Sequence, residues 1–282
     1  MIHTSKQLKD LVRNLTKGNS SQAQIVMRNY IMERFLERLS LSNYCHNFIL
    51  KGGMLVSAMV GLDNRATLDI DTTVRNLSLS IENTERIITE ITNIPMEDGI
   101  TFHIKSLNVI MDEAEYGGIR VAMEAVLDTM KTPLKLDIST GDIITPSEVE
   151  YPFKLMFEER TISVLAYNLE TVLAEKLETV LSRGTANTRL RDFYDLYILQ
   201  NDCVHNFDPA VVAMAFHATS EKRGSEETVA IGESTLQKIR KSKEMQELWR
   251  RYQTKFSYAG DITWEKVMDA VDSLWKIVLQ GH

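Results

Sequence analysis

The chain has 282 residues, 44% apolar and 25% charged, with a formal net charge of −7. These proportions fit a globular protein and exclude a disordered chain, a collagen and a disulfide scaffold. The acidic balance speaks against non-specific nucleic-acid binding by the chain as a whole, while leaving room for a local basic surface.

The opening MIHTSKQLKDLVRNL has no apolar core of signal-peptide kind. No run of about 18 apolar residues occurs, so no membrane association is expected and a cytoplasmic location is inferred. The two cysteines, Cys45 and Cys203, form no CxxC pair. Cys45-His46 with Cys203 and His205 would make a nominal metal-ligand set, but reduced thiols beside unrelated histidines are the favoured reading.

Residues 5–40 read as helical, with Ile25, Val26, Ile31, Met32, Phe35, Leu36 and Leu39 at spacings of three and four. Asn47 to Lys51 reads as a short buried strand ending at Gly52-Gly53. A helix from Met54 to Val60 follows, and Gly61 stops it. Thr67 to Val74 reads as a second strand. Residues 78–92 resume a helical pattern with Ser80 as its cap. Strands are expected over 100–110, 118–127, 133–139 and 161–166, and helices from 168 nearly to the end. This order predicts an α+β protein: a core of 1–166 carrying N-terminal helices, and a helical C-terminal lobe of 167–282.

Charge is spread unevenly. From Gly61 to Tyr116 eleven acidic residues face four basic ones, and from Leu236 to Lys255 seven basic residues face two acidic ones. The basic stretch is either a solvated helix face or a phosphate-binding surface.

Asp69-Ile70-Asp71 is the most informative triplet. Strand alternation puts both aspartates on one face, and flanking Leu68 and Ile70 suggest a buried strand. Two close carboxylates are costly without a cation between them, and Mg²⁺ satisfies them through oxygen ligands. Asp137, in Leu134-Lys135-Leu136-Asp137-Ile138, offers a third carboxylate from another strand; an exposed strand aspartate is the equal alternative. Gly52-Gly53, between a strand and a helix start, lets backbone N–H groups approach phosphate. No GxxxxGK[ST] pattern occurs, which disfavours a P-loop.

Lys176 falls within the apolar arc of its helix, among Leu169, Val172, Leu173, Leu177 and Val180. There it needs a partner or a phosphate unless it snorkels to the surface. Glu175 and Glu178 fall on the polar side and are expected to be solvated. Asp192 and Asp195 are i,i+3 neighbours on a helix and could hold a base, a lysine or a metal-bound water.

Five segments in order carry a family resemblance: Leu50-Lys51-Gly52-Gly53-Met54-Leu55, Arg65-Ala66-Thr67-Leu68-Asp69-Ile70-Asp71, Lys135-Leu136-Asp137-Ile138, Ala174-Glu175-Lys176-Leu177, and Asn187-Thr188-Arg189-Leu190-Arg191-Asp192-Phe193-Tyr194-Asp195. Together they resemble the AbiEii/AbiGii toxins of the DNA polymerase β-like nucleotidyltransferase superfamily, related to the MenT toxins. The resemblance implies a polymerase β-like core, a small mixed sheet with flanking helices, plus the helical lobe. It also implies transfer of NMP from an NTP co-substrate, with Mg²⁺ (or Mn²⁺), to an acceptor, a tRNA 3′ end by analogy.

By the same resemblance Lys51, Gly52, Gly53, Arg65 and Thr67 belong to the nucleotide site. Asp69, Asp71 and Asp137 would hold metal, Lys176 would contact phosphate, and Asp192 and Asp195 match the last acidic motif. Thr67 stands where MenT proteins carry a serine that their antitoxins phosphorylate. An antitoxin encoded alongside is the implied partner, and abortive infection of phage-infected cells the implied setting. Two departures stand out: Thr72 replaces the hydrophobe that usually closes the acidic motif, and the gap after Gly53 is long. A protein or small-molecule acceptor, a silent nucleotide-binding module and a metal nuclease are the competing readings.

Overall fold

The computed structural model describes residues 2–111, 117–202 and 206–281, so Cys203 and His205 lie outside the described residues. The chain divides into two units, 1–142 with 149–166, and 143–148 with 167–282.

The first unit is built on a seven-stranded mixed sheet. Its strands are β1 (Phe48–Lys51), β2 (Ile70–Val74), β3 (Ile100–Met111), β4 (Gly117–Leu127), β5 (Met130–Thr140), β6 (Val149–Lys154) and β7 (Thr161–Ala166), in the order β3-β4-β5-β2-β1-β7-β6. β2 runs parallel to β5 and antiparallel to β1, and β4 runs antiparallel to β3 and β5. β4 shows why sequence alternation found it: Ile119, Val121, Met123, Ala125 and Leu127 are buried on one face.

The helices are α1 (Ser5–Leu15), α2 (Ser20–Leu41), α3 (Gly52–Val60) and α4 (Ile81–Thr92). The long helical stretch expected over 5–40 is thus two helices. Thr16 caps the first, and Asn19 opens the second by accepting the Gln22 N–H at 3.2 Å. The second expected strand begins later, at Ile70, with 67–69 in the irregular segment and bend before it. Ile70 is buried there, but Leu68 is 36% exposed, so only one of its two expected apolar flanks is realised.

Asn29 to Leu39 of α2 are all buried, including Glu33, Arg34, Glu37 and Arg38. Buried charges persist only when paired. Arg34 lies 2.8 Å from Glu37 and 3.0 Å from Glu158, and Arg160 also reaches Glu37. Arg38 clasps Asp98 with two bonds, 2.7 and 2.8 Å, and donates to the Ile100 carbonyl at 3.0 Å. Glu33 accepts the Met156 N–H at 2.8 Å, and burial pushes its carboxyl up from 4.5 to about 8.

The second unit is helical: α5 (Leu169–Arg183), α6 (Leu190–Asp202), α7 (Pro209–Arg223), α8 (Glu226–Ala230), α9 (Gly232–Lys241), α10 (Lys243–Lys255) and α11 (Trp264–Gln280). α5, α6 and α7 pack with α11 around Leu173, Leu177, Phe193, Leu196, Phe216 and Leu274, all fully buried. Residues 143–148 join this unit because Asn168 caps α5 through the Thr171 N–H at 2.7 Å and also donates to the Thr145 and Ser147 carbonyls, each at 2.8 Å. Among the described residues no helix is long and apolar enough to cross a membrane.

Two stability measurements follow. Asp98→Ala leaves the Arg38 guanidinium buried without its carboxylate and should cost about 3–5 kcal/mol, read from urea midpoints. Glu33 holds a proton in the fold that the unfolded chain releases above about pH 4.5. Its stabilising contribution is therefore complete below that pH and is lost as pH rises towards 8. The stability of Glu33→Gln relative to the native chain should accordingly grow between about pH 5 and about pH 8; an unchanged difference would contradict the assignment.

Candidate active site

The strand registers lay four charged residues in one row across the sheet. Lys51 stands opposite Asp71, Asp71 opposite Asp137, and Asp137 opposite Arg120. Residues in register share a face of the sheet, so the row reads plus, minus, minus, plus. Arg120 closes on Asp137 with a two-pronged contact, Nε to Oδ1 at 2.8 Å and Nη2 to Oδ2 at 2.6 Å. Lys51 leans towards Asp142, its Nζ 2.5 Å from Oδ2, and Ser139 Oγ donates to the same oxygen at 2.9 Å.

Asp71 occupies the centre. Burial pushes its carboxyl up, neighbouring Asp137 and Asp69 push the same way, and Lys51 and the Gly53 N–H oppose them. The Gly53 N–H points at Asp71 Oδ2 from 3.4 Å. Asp69 sits at the bend just before β2, half-buried, and its carboxylate accepts no hydrogen bond among the described residues.

The turn from β1 into α3 fits around these groups. Gly52 has φ +67°, and a Cβ built there would lie 2.1 Å from Asp71 Oδ2. A Cβ on Gly53 would lie 2.7 Å from Thr67 Oγ1 and 3.3 Å from the Arg65 guanidinium. Arg65 and Thr67 are each 3% exposed, and Thr67 donates to the Asp69 carbonyl at 3.3 Å. Asn29 of α2 holds the Thr67 carbonyl at 3.0 Å. The glycines, the threonine and the aspartates thus form one close-packed corner, with the first N–H groups of α3 beside it.

The helical unit holds a second cluster. Lys176 of α5 lies 2.7 Å from Asp195 and 3.1 Å from Asp192, both on α6. Asp195 is fully buried, and Lys176 is one of its partners. Asn187, ahead of α6, accepts the Arg189 N–H at 2.8 Å, and its buried side-chain amide nitrogen has no partner. Glu175 and Glu178 are not solvated as their helical position suggested. Arg223 of α7 lies 3.2 Å from Glu175 and also binds Glu178, which is 3% exposed. The α7 surface covers what a lone helix would have left open.

Arg120 and Asp142 escaped the sequence reading. Arg120 interrupts the apolar run Ile119-Arg120-Val121, but only the register, which no single sequence prints, sets it against Asp137.

As a cation site, the donors are all carboxylate oxygens, suited to a hard divalent ion. Asp69, with no hydrogen bond to its carboxylate, and Asp71, pushed up by burial and then by its acidic neighbours, fit such an ion. Asp137 is already engaged through both oxygens. Among the described residues no three His, Cys, Asp or Glu side chains group as a metal cluster, and none includes Cys45.

The site is thus a glycine turn opening a helix, set against two aspartates beside a mixed sheet. The model of the AbiEii nucleotidyl transferase toxins, of a type IV toxin–antitoxin system, matches residues 34–273. The chain belongs to this family, so it is a toxin-class nucleotidyltransferase whose partners include a nucleotide and an antitoxin. Two solved structures share the fold. One is MenT4, a nucleotidyltransferase toxin of Mycobacterium tuberculosis, at 13% identity and TM-score 0.57, covering 96% of this chain and 98% of the other. The other is JHP933 of Helicobacter pylori, at 16% identity and TM-score 0.51, covering 91% and 94%. No curated protein sequence matches the chain.

The packing of the corner is testable by a double-mutant cycle. Gly53→Ala should destabilise the protein, and Thr67→Ala in the same chain should recover part of that loss because it removes the hydroxyl in the way. Gly52→Ala should cost more, at least about 1 kcal/mol from its left-handed backbone alone, with the Asp71 clash added. Additive effects of Gly53→Ala and Thr67→Ala in thermal melts would refute the contact.

Proposed function

We propose that the chain moves NMP from an NTP to the 3′ end of a tRNA, and that Mg²⁺ is required. The observation that carries the reading is the Gly52-Gly53 corner closed against Asp71, with Asp69 beside it. An acceptor hydroxyl attacks the α-phosphorus; its O–P bond forms as the bond to the β-phosphate oxygen breaks. Pyrophosphate leaves, and the hydroxyl proton passes to solvent or to a nearby base.

The residues act mainly by positioning and by balancing charge. Gly52 and Gly53 allow phosphate oxygens close to the backbone N–H groups of α3. Asp69 and Asp71 would hold Mg²⁺, or Mn²⁺ in its place, which supplies charge neutralisation at the reacting phosphate. Asp137 joins them only if it releases Arg120, and otherwise acts by holding that guanidinium. Lys51, Arg65 and Thr67 shape the nucleotide side of the corner. Lys176 keeps the phosphate-contacting role that the family resemblance implies, and Asp192 and Asp195 hold its ammonium.

The tRNA assignment draws on the family resemblance and on the basic residues between Leu236 and Lys255. Modification of a tRNA 3′ end would block aminoacylation and stop translation, as suits a toxin. It would act under an antitoxin in an abortive response to phage.

The test is incubation of the chain with total tRNA, Mg²⁺ and each α-labelled NTP in turn. Label should enter RNA without shortening it. Asp71→Asn should lower the rate on the order of a hundredfold or more, and chelation should abolish it. Label in a protein or a small molecule would move the acceptor. Nucleotide binding with no transfer would leave a binding module, and shortened RNA would identify a nuclease.

A further inference from the structure

The end of α10 carries aromatic rings to which the transfer step assigns no role. Lys255 closes the helix, Phe256 follows, and Tyr258 lies in the next turn. The Phe256 and Tyr258 rings are stacked, 5.4 Å apart at an interplanar angle of 22°. Behind them the pair is anchored in the core: Tyr194 of α6 lies 4.8 Å from Tyr258, and Tyr252 lies 4.7 Å from Phe256. Tyr194 and Tyr252 are buried, whereas Phe256 and Tyr258 are half-buried.

Two cations lie over the Phe256 ring, Arg191 of α6 and Lys255, each 5.5 Å from its centroid. Neither makes an ion pair among the described residues. Of their basic neighbours, Arg250 and Arg251 both pair with Glu247 and Arg240 with Asp269 and Asp272, while Lys238, Lys241 and Lys243 make no ion pair among the described residues. What sets Arg191 and Lys255 apart is that both lie over a half-buried aromatic ring.

An apolar partner would cover the rings but would strip water from both cations without compensation. An acidic partner would meet the cations and leave the rings wet. A single strand of nucleic acid serves both, with base faces for the rings and guanidinium plane and phosphates for the cations. A duplex keeps its base faces within its own stack and offers only phosphates.

The same helix ties this surface to the lysine cluster. Arg191 precedes Asp192, which lies 3.1 Å from Lys176, and Tyr194 precedes Asp195, which lies 2.7 Å from it.

We propose that the Phe256–Tyr258 stack holds an unpaired base of the acceptor RNA, with an adjacent phosphate on Arg191 and Lys255. The inference rests on the reading that the acceptor is RNA and narrows it to RNA with a single-stranded end.

The experiment measures binding of the full chain to a 5′-labelled single-stranded oligoribonucleotide and to its duplex, over a range of salt. NTP binding without RNA and label transfer to total tRNA are measured on the same proteins. The single strand should bind more tightly than the duplex. Phe256→Leu, which keeps apolar bulk but removes the π face, should weaken the single strand roughly tenfold and leave NTP binding intact. Exposed Lys255→Gln, a change at the surface that the fold tolerates, should reduce the salt slope by about 0.7.

If Phe256→Leu and Lys255→Gln bind the single strand with native affinity and salt slope while the native chain still labels tRNA, this inference fails and the RNA-acceptor reading stands. If the native chain neither binds the oligoribonucleotide nor labels RNA, both fail. If Phe256→Leu loses NTP affinity in the absence of RNA, the stack serves the donor base and the proposal is overturned.

Discussion

The sheet unit turns on one close approach, the Asp71 carboxylate against the backbone of Gly52. The register of β1 with β2 sets Lys51 opposite Asp71, so the residue that follows Lys51 must turn directly over that carboxylate. With 2.1 Å between a would-be Cβ and Oδ2, and φ at +67°, two independent constraints exclude side chains there. The same turn starts α3 and brings the Gly53 N–H to Asp71. Steric room, helix direction and a hydrogen-bond donor are thus all consequences of one glycine.

The position of that corner depends on α2. A helix buried over eleven consecutive positions, Asn29 to Leu39, would ordinarily be apolar all round. This one carries four ionisable side chains, and each finds a partner outside the helix: Arg38 on Asp98 ahead of β3, and Glu33, Arg34 and Glu37 on the Met156 N–H, Glu158 and Arg160 of the β6–β7 connection. Apolar contacts would permit α2 to slide or rotate; directional pairs of this kind permit one seating, although replacing such pairs with apolar groups can leave stability unchanged or improve it. Asn29 extends the effect to the site, since its amide binds both the Ile25 carbonyl of α2 and the Thr67 carbonyl beside Gly53.

Much of this architecture was legible in the sequence. β2, β4 and β5 announce themselves by alternation, and Gly52-Gly53 by falling between a strand and a helix. β6, one of the two edge strands of the sheet, was not visible: VEYPFK carries Pro152 and charged residues, which an edge tolerates and a periodicity search discounts. The fate of Glu178 was hidden for a different reason. Its helix alone assigns it to solvent, and only the packing of α7 supplies Arg223. Arg120 likewise needed the β4–β5 register. Local patterns report elements and faces, while the partner of a charge is a property of residues far apart in the chain.

The charge row across the sheet shows why the acidic motif is kept from collapsing. Asp71 and Asp137 occupy adjacent strands in register, where like charges repel. Arg120 takes up the charge of Asp137 completely, while Lys51 is drawn off towards Asp142 and only partly relieves Asp71. The row therefore balances at its ends and leaves a deficit of positive charge at its centre, between Asp69 and Asp71. That centre lies where the glycine turn brings the Gly53 N–H to Asp71. Asp142 contributes to that deficit, since it and Ser139 hold the Lys51 ammonium to one side of Asp71.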